Sequence, residues 1–124
     1  MKQISTPNAP AAIGPYSQGL TVGNLTFISG QIPVNPATGE MPDTIEEQAT
    51  QALTNLKGVL AAANLSMSNV IKTVVFLADL NDFPVVNRIY ESFFAAPYPA
   101  RSCVQVAGIP KGAKIEIECI AVKE

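Results

Sequence analysis

The sequence predicts an α+β fold: a six-stranded mixed sheet with two helices packed on one of its faces. Three observations lead there. Two segments repeat apolar residues at helical spacing, six short segments read as strands, and one of those strands is apolar on both sides. No internal repeat, low-complexity stretch or linker interrupts the 124 residues, so one domain spans 1–124.

Residues 2–5 form a short first strand. A loop built on Pro7, Pro10, Gly14 and Pro15 then leads to Tyr16. Segments 17–22 and 25–30 read as a hairpin around the two-residue turn Gly23-Asn24. The stretch from Pro33 to Gly39 is turn-rich and expected to be exposed. Asp43 with Glu46 three residues later resembles a capping box. It opens a helix of about five turns in which Ile45, Ala49, Leu53, Leu56, Val59, Leu60 and Ala63 recur at spacings of three and four. Glu46, Glu47, Thr50, Asn55 and Lys57 read as its solvated face, and Asn64 as the left-handed residue that closes it.

Residues 71–78 form the next strand, with Val74, Phe76 and Ala78 on one side and Val75 and Leu77 on the other. Asn81 or Asp82 caps a second helix that has Pro84 in its first turn and an apolar stripe of Phe83, Val86, Tyr90, Phe93 and Phe94. Asn87 falls inside that stripe, either as an edge amide reaching water or as a polar group aimed at a cleft. Segments 101–107 and 113–122 read as a closing hairpin across Gly108–Gly112. Two helices cover only one face of a sheet roughly 25–29 Å wide. A strand apolar on both faces needs cover on both. The second face is therefore expected to meet another copy of the chain, with ligand sites in the clefts between subunits.

Composition agrees. Charged residues make up 15% of the chain, below the roughly 25% of an average soluble domain. A net charge of −2 and six scattered lysines argue against a nucleic-acid partner. No apolar run has membrane-spanning length and the first residues lack a signal-peptide core, so a cytoplasmic location is expected and no membrane partner. Cys103 and Cys119 do not make a disulfide framework and read as reduced, buried thiols. The absence of histidine removes Ser-His and Cys-His nucleophile pairs and histidine metal sites. Any chemistry must use carboxylates, arginine, hydroxyls, backbone groups and water, and no cofactor or metal is called for.

Arg101 is one of two arginines and opens an apolar strand behind Pro97-Tyr98-Pro99. A guanidinium is costly to bury without an anion, and its fork matches a carboxylate with two parallel hydrogen bonds. It pairs either with an internal glutamate or with a bound anionic ligand. Alternation puts Arg101, Cys103 and Gln105 on one side of their strand, and Glu116 and Glu118 on one side of the last. The register of that hairpin decides whether the two sets converge or the glutamates form a solvated face.

Ala11–Gly19 (Ala-Ala-Ile-Gly-Pro-Tyr-Ser-Gln-Gly), Ile28–Pro33 (Ile-Ser-Gly-Gln-Ile-Pro), Asp79–Phe83 (Asp-Leu-Asn-Asp-Phe), Pro99–Ser102 (Pro-Ala-Arg-Ser) and Lys114–Glu118 (Lys-Ile-Glu-Ile-Glu) together resemble the RidA/YjgF family, in order and over almost the whole chain. The resemblance implies a chorismate-mutase-like fold, a homotrimer with active sites in its inter-subunit clefts, and hydrolysis of 2-iminobutanoate and 2-iminopropanoate to 2-oxo acids and ammonia. It implies that Arg101 grips the substrate carboxylate, Cys103 contributes mainly through its backbone, and Glu116 holds or activates a water. Tyr16, Ser29, Gly30, Ile32 and Asn87 match positions that line the pocket. The stretch before Pro99 is shorter than in many members, which bears on substrate preference. The alternative is a non-catalytic trimer that senses small 2-oxo acids through the same arginine.

Overall fold

The computed structural model describes residues 1–124. Six strands, β1 (Lys2–Ile4), β2 (Gly19–Val22), β3 (Leu25–Gln31), β4 (Val70–Leu77), β5 (Ala100–Gln105) and β6 (Ile115–Val122), form one sheet in the spatial order β1-β2-β3-β6-β4-β5. Every pair is antiparallel except β4 with β5. A parallel pair needs a crossover, and helix α2 (Phe83–Phe93) provides it.

The expected hairpin between the last two strands does not form, because β4 lies between them. Burial accounts for this. Val75, Leu77, Ile115 and Ile117 are at most 1% exposed, so β4 and β6 both take central places. In β5, by contrast, no residue is fully buried, which suits the sheet edge.

Helix α1 (Ile45–Ala62) packs Ala49, Ala52, Leu53, Leu56, Val59 and Leu60 onto the sheet. Its cap is one residue later than the sequence suggests. The Thr44 hydroxyl accepts from the Glu47 amide at 3.2 Å and donates to the Glu47 carboxylate at 2.9 Å, so Thr44 rather than Asp43 opens the helix. Asn64 does adopt the left-handed conformation, with φ 60°. At the start of α2, Asp82 makes no side-chain cap bond; Asp79 instead accepts from the Asn81 amide in the preceding 3₁₀ turn.

Asn55 is the main departure on α1. Assigned to the solvated face, it is fully buried. Its Nδ2 donates to the carbonyls of Ile32 (3.0 Å) and Val34 (2.9 Å), and its Oδ1 accepts from Gln51 (2.8 Å). The stretch from Pro33 is consequently tied down: Pro33 and Val34 are buried, and exposure begins only at residue 36. Gln48 does similar work, bridging the Pro42 carbonyl and the Lys114 amide, each at 2.8 Å.

Both helices lie on one face. The other face carries Val22, Phe27 and Val104, 51%, 45% and 44% exposed, beside the half-buried Val74, Phe76 and Ile120. No helix is long and apolar enough to cross a membrane.

Candidate active site

The expected site residues fall into two clusters on opposite faces of the sheet. The first is built on the edge strand. Arg101 sits directly beside Thr73 of β4, and its side chain turns toward the helix layer. There α2 presents Phe83, Asn87 and Tyr90, spaced four and three residues apart and hence on one helical row. Arg101 Nη1 donates to Asn87 Oδ1 at 2.8 Å. Its Cζ lies 4.7 Å from the Tyr90 ring centre and 5.2 Å from that of Phe83.

The partner of the guanidinium within the protomer is therefore a neutral amide and two ring faces. None of these cancels its charge, so the fork remains a receptor for an anion. Cavities open on both sides of it. One of about 410 Å³ is lined by Asn87, Tyr90, Glu91, Tyr98 and Pro99, and one of about 580 Å³ by Leu80, Asn81, Phe83, Pro84 and Cys103. The Gln105 side chain accepts from the Leu80 amide at 2.8 Å and fixes the loop above the second.

Cys103 follows Arg101 on the same side of β5 and is half-buried rather than fully buried as expected. Burial pushes its thiol pKa up, with the Arg101 charge opposing that rise. A thiol held protonated is a poor nucleophile. The other cysteine, Cys119, is more deeply buried and pushed up to about 12, by burial first and then by the Glu118 carboxylate.

The second cluster surrounds a β-bulge. Between the pairs Ile28–Cys119 and Gln31–Ile117, β3 spends one more residue than β6, and the extra residue falls at Ser29-Gly30. Bulges re-aim side chains and recur next to active sites. Here the bulge makes a hollow that the Glu116 carboxylate occupies. A methyl group at Gly30 would overlap that carboxylate and come within 2.8 Å of its carboxyl carbon. Glu116 is half-buried, and its pKa is raised, first by burial and then by the neighbouring Glu118 charge.

Tyr16, Ser29, Gly30, Ile32, Glu116 and Glu118 line one groove of about 720 Å³. Its walls are held by long-range hydrogen bonds that the sequence does not reveal. Gln18, 4% exposed, accepts from the Thr6 amide at 2.7 Å and donates to the Pro10 carbonyl at 2.7 Å, pinning the loop that carries Tyr16. The Ser29 hydroxyl donates to the Ser17 carbonyl. Asn55 fixes the carbonyl of Ile32 from below.

Within one protomer the two clusters do not meet. Thr73 is flanked by Arg101 on β5 and Cys119 on β6, so these three point to the helix side. Glu116 and Glu118 alternate with Cys119 and point to the open side. Of the two arrangements the sequence leaves open, convergence of Arg101 with either glutamate in one chain is thus ruled out by register. The sequence reading found Arg101 and Asn87 separately but not their bond, nor the role of Tyr90 beneath the guanidinium. The spacing of Phe83, Asn87 and Tyr90 was the available signal.

Comparison with known proteins agrees with this architecture. Residues 6–123 match the family model described as endoribonuclease L-PSP. A protein of Escherichia coli K12 named 2-iminobutanoate/2-iminopropanoate deaminase is 57% identical over 125 residues, covering 98% of each chain. The crystal structure of the E. coli YjgF gene product superposes with a TM-score of 0.97 at 55% identity, covering all of both chains. That of E. coli TdcF with bound serine does so with a TM-score of 0.97 at 52% identity, again covering all of both.

Proposed function

The chain belongs to the RidA/YjgF family, the family of the endoribonuclease L-PSP model, and on that footing we propose that it hydrolyses small 2-imino acids to 2-oxo acids and ammonia. The observation that carries the proposal is Arg101 held by a neutral amide and two aromatic faces, its charge unspent beside open cavities. A 2-imino acid brings the carboxylate that this fork fits.

The complete site is a composite. Arg101 and Glu116 face opposite sides of the sheet, so a cleft containing both requires Arg101 from one protomer and Glu116 from its neighbour. Repeated head to tail, such a contact generates a ring where its rotation closes, and a homotrimer with three clefts is the assembly we infer. The exposed Phe27 and Val104 of the open face supply apolar surface for it.

In that cleft the substrate carboxylate takes the Arg101 fork, with Asn87 holding the fork in place. Half the backbone groups of edge strand β5 are free of the ladder, and the Cys103 carbonyl accepts the iminium N–H. Tyr16, Ser29, Gly30 and Ile32 close the opposite wall. A water held by Glu116 attacks the C=N carbon and passes one proton to the carboxylate. Glu116 returns that proton to the carbinolamine nitrogen and then accepts the hydroxyl proton as the C–N bond breaks and the C=O bond forms; the departing ammonia carries that proton away as ammonium, leaving the 2-oxo acid and the ionised carboxylate. Such positioned acid–base assistance contributes about 10²–10⁴-fold, enough for imines that already hydrolyse spontaneously. No nucleophilic thiol is required. We place this reaction in the cytoplasm, without a nucleic-acid or membrane partner.

The test couples the protein to a threonine dehydratase and follows the transient imine, with semicarbazide as the competing trap. Faster formation of 2-oxobutanoate and less trapped imine support the deaminase. Binding of 2-oxobutanoate without acceleration would favour a sensing trimer instead.

A further inference from the structure

We propose that Tyr90 is a positioning residue for Arg101, acting through the face of its ring, with its hydroxyl anchored on Thr73. This rests on the reading of Arg101 as the carboxylate receptor. Three observations carry it. The Tyr90 ring is the nearer of the two aromatic faces, 4.7 Å from Arg101 Cζ against 5.2 Å for Phe83. It is also the buried one, 4% exposed, whereas Phe83 is half-buried.

The third observation is the anchor. The Tyr90 hydroxyl and Thr73 Oγ1 are 2.8 Å apart, and Thr73 is the ladder partner of Arg101 itself. Cation, ring and anchor therefore form a closed triangle across two strands and one helix. The hydroxyl bond fixes the plane of the ring, and Phe94, centred 4.5 Å away, backs it. A flexible arginine side chain would otherwise have to be ordered each time a substrate carboxylate bound, which weakens binding. With the ring beneath and Asn87 at one nitrogen, that ordering is already done.

A cation–π contact at a partly desolvated site accounts for about a 5- to 30-fold change in an equilibrium. Tyr90→Leu removes the ring face; Tyr90→Phe keeps it and removes only the anchor. The probe is 2-oxobutanoate, titrated calorimetrically, so that no turnover is needed. The second readout is the ¹⁵N-detected side-chain Nε–H signal of Arg101, which Arg101→Lys assigns because Arg88 is the only other arginine.

The expected result is an Arg101 signal displaced by the ring current in wild type and in Tyr90→Phe, and relaxed in Tyr90→Leu. Affinity should fall about 5- to 30-fold in Tyr90→Leu and within about threefold in Tyr90→Phe. The proposal is overturned if the signal is undisplaced in wild type, if Tyr90→Leu leaves the signal and affinity unchanged, or if both variants weaken binding equally. Failure of the deaminase reading looks different: the wild type would bind 2-oxobutanoate with the displaced signal, yet leave the rate of imine hydrolysis unchanged.

Discussion

Arg101 and Glu116 stand on opposite faces of one sheet. The ladder from Arg101 through Thr73 to Cys119 fixes the first on the helix side, and Glu116, three residues before Cys119, alternates to the other. Glu116 pairs with Phe76 across an unbroken register, so no slip reconciles them. In the proposed reaction these two residues are halves of one site that two copies of the chain complete.

Carboxylate recognition should depend on Arg101 and not on the thiol two residues away. Arg101→Ala is expected to weaken 2-oxobutanoate binding by about 10- to 100-fold, the range for a lost hydrogen bond to a charged group. Cys103→Ser should stay within about threefold in kcat/KM, because a thiol with a raised pKa does little nucleophilic work. Titration calorimetry and the coupled imine assay measure the two effects; similar losses in both variants would contradict the assignment.

The raised pKa of Glu116 gives a pH dependence of defined sign. If ionised Glu116 activates water, kcat/KM should rise through a pH above the ordinary glutamate range, and Glu118→Gln should shift that rise to lower pH by removing the neighbouring charge. For stability, the folded state holds this proton more tightly than the unfolded chain. The contribution is therefore complete below the unfolded-state pKa and lost as pH rises through the folded one. Glu116→Gln should accordingly be more stable than wild type at neutral pH in urea melts, and lose that advantage in acid.

Gly30→Ala separates placement from folding. The atoms that a new methyl would strike belong to the free end of the Glu116 side chain. The carboxylate can swing away, so the urea midpoint should barely move. Activity should fall by about 10²-fold, as expected when a catalytic group is misplaced by about 1 Å. An unchanged rate would show that the hollow under Gly30 is unrelated to the reaction.

Asn55→Leu tests a buried amide that the helical pattern alone assigns to water. It leaves the Ile32 and Val34 carbonyls and the Gln51 amide without their partner. A cost of about 2–4 kcal/mol in urea denaturation is expected, from unsatisfied buried groups at about 1–3 kcal/mol each with partial relaxation.

The elements themselves were legible in the sequence. Leu53, Leu56 and Leu60 announce α1, Gly23-Asn24 announces the first hairpin, and Val75 with Leu77 announces a buried strand. The neighbours of each strand were not legible, since β5 and β6 are adjacent in sequence yet separated by β4. Local pattern fixes which side chains share a face, whereas pairing is decided by which strands most need burial. The same limit explains the site. Arg101 is conspicuous as a lone cation behind prolines, but its bond to Asn87 and the bulge that seats Glu116 are long-range facts. Asn55 and Gln18 show the converse: a buried amide satisfied by loop carbonyls has the sequence appearance of a surface residue.

Subunit complementation tests the composite site most directly. Arg101→Ala and Glu116→Gln, each strongly impaired alone, would be mixed, unfolded and refolded together, and the imine hydrolysis rate of the product measured. Random association in a cyclic assembly gives one site in about four an intact Arg101 from one copy and an intact Glu116 from the next. The account predicts recovery to about a quarter of wild-type activity. A mixture as inactive as its parents, or a wild-type monomer with full activity, would contradict it.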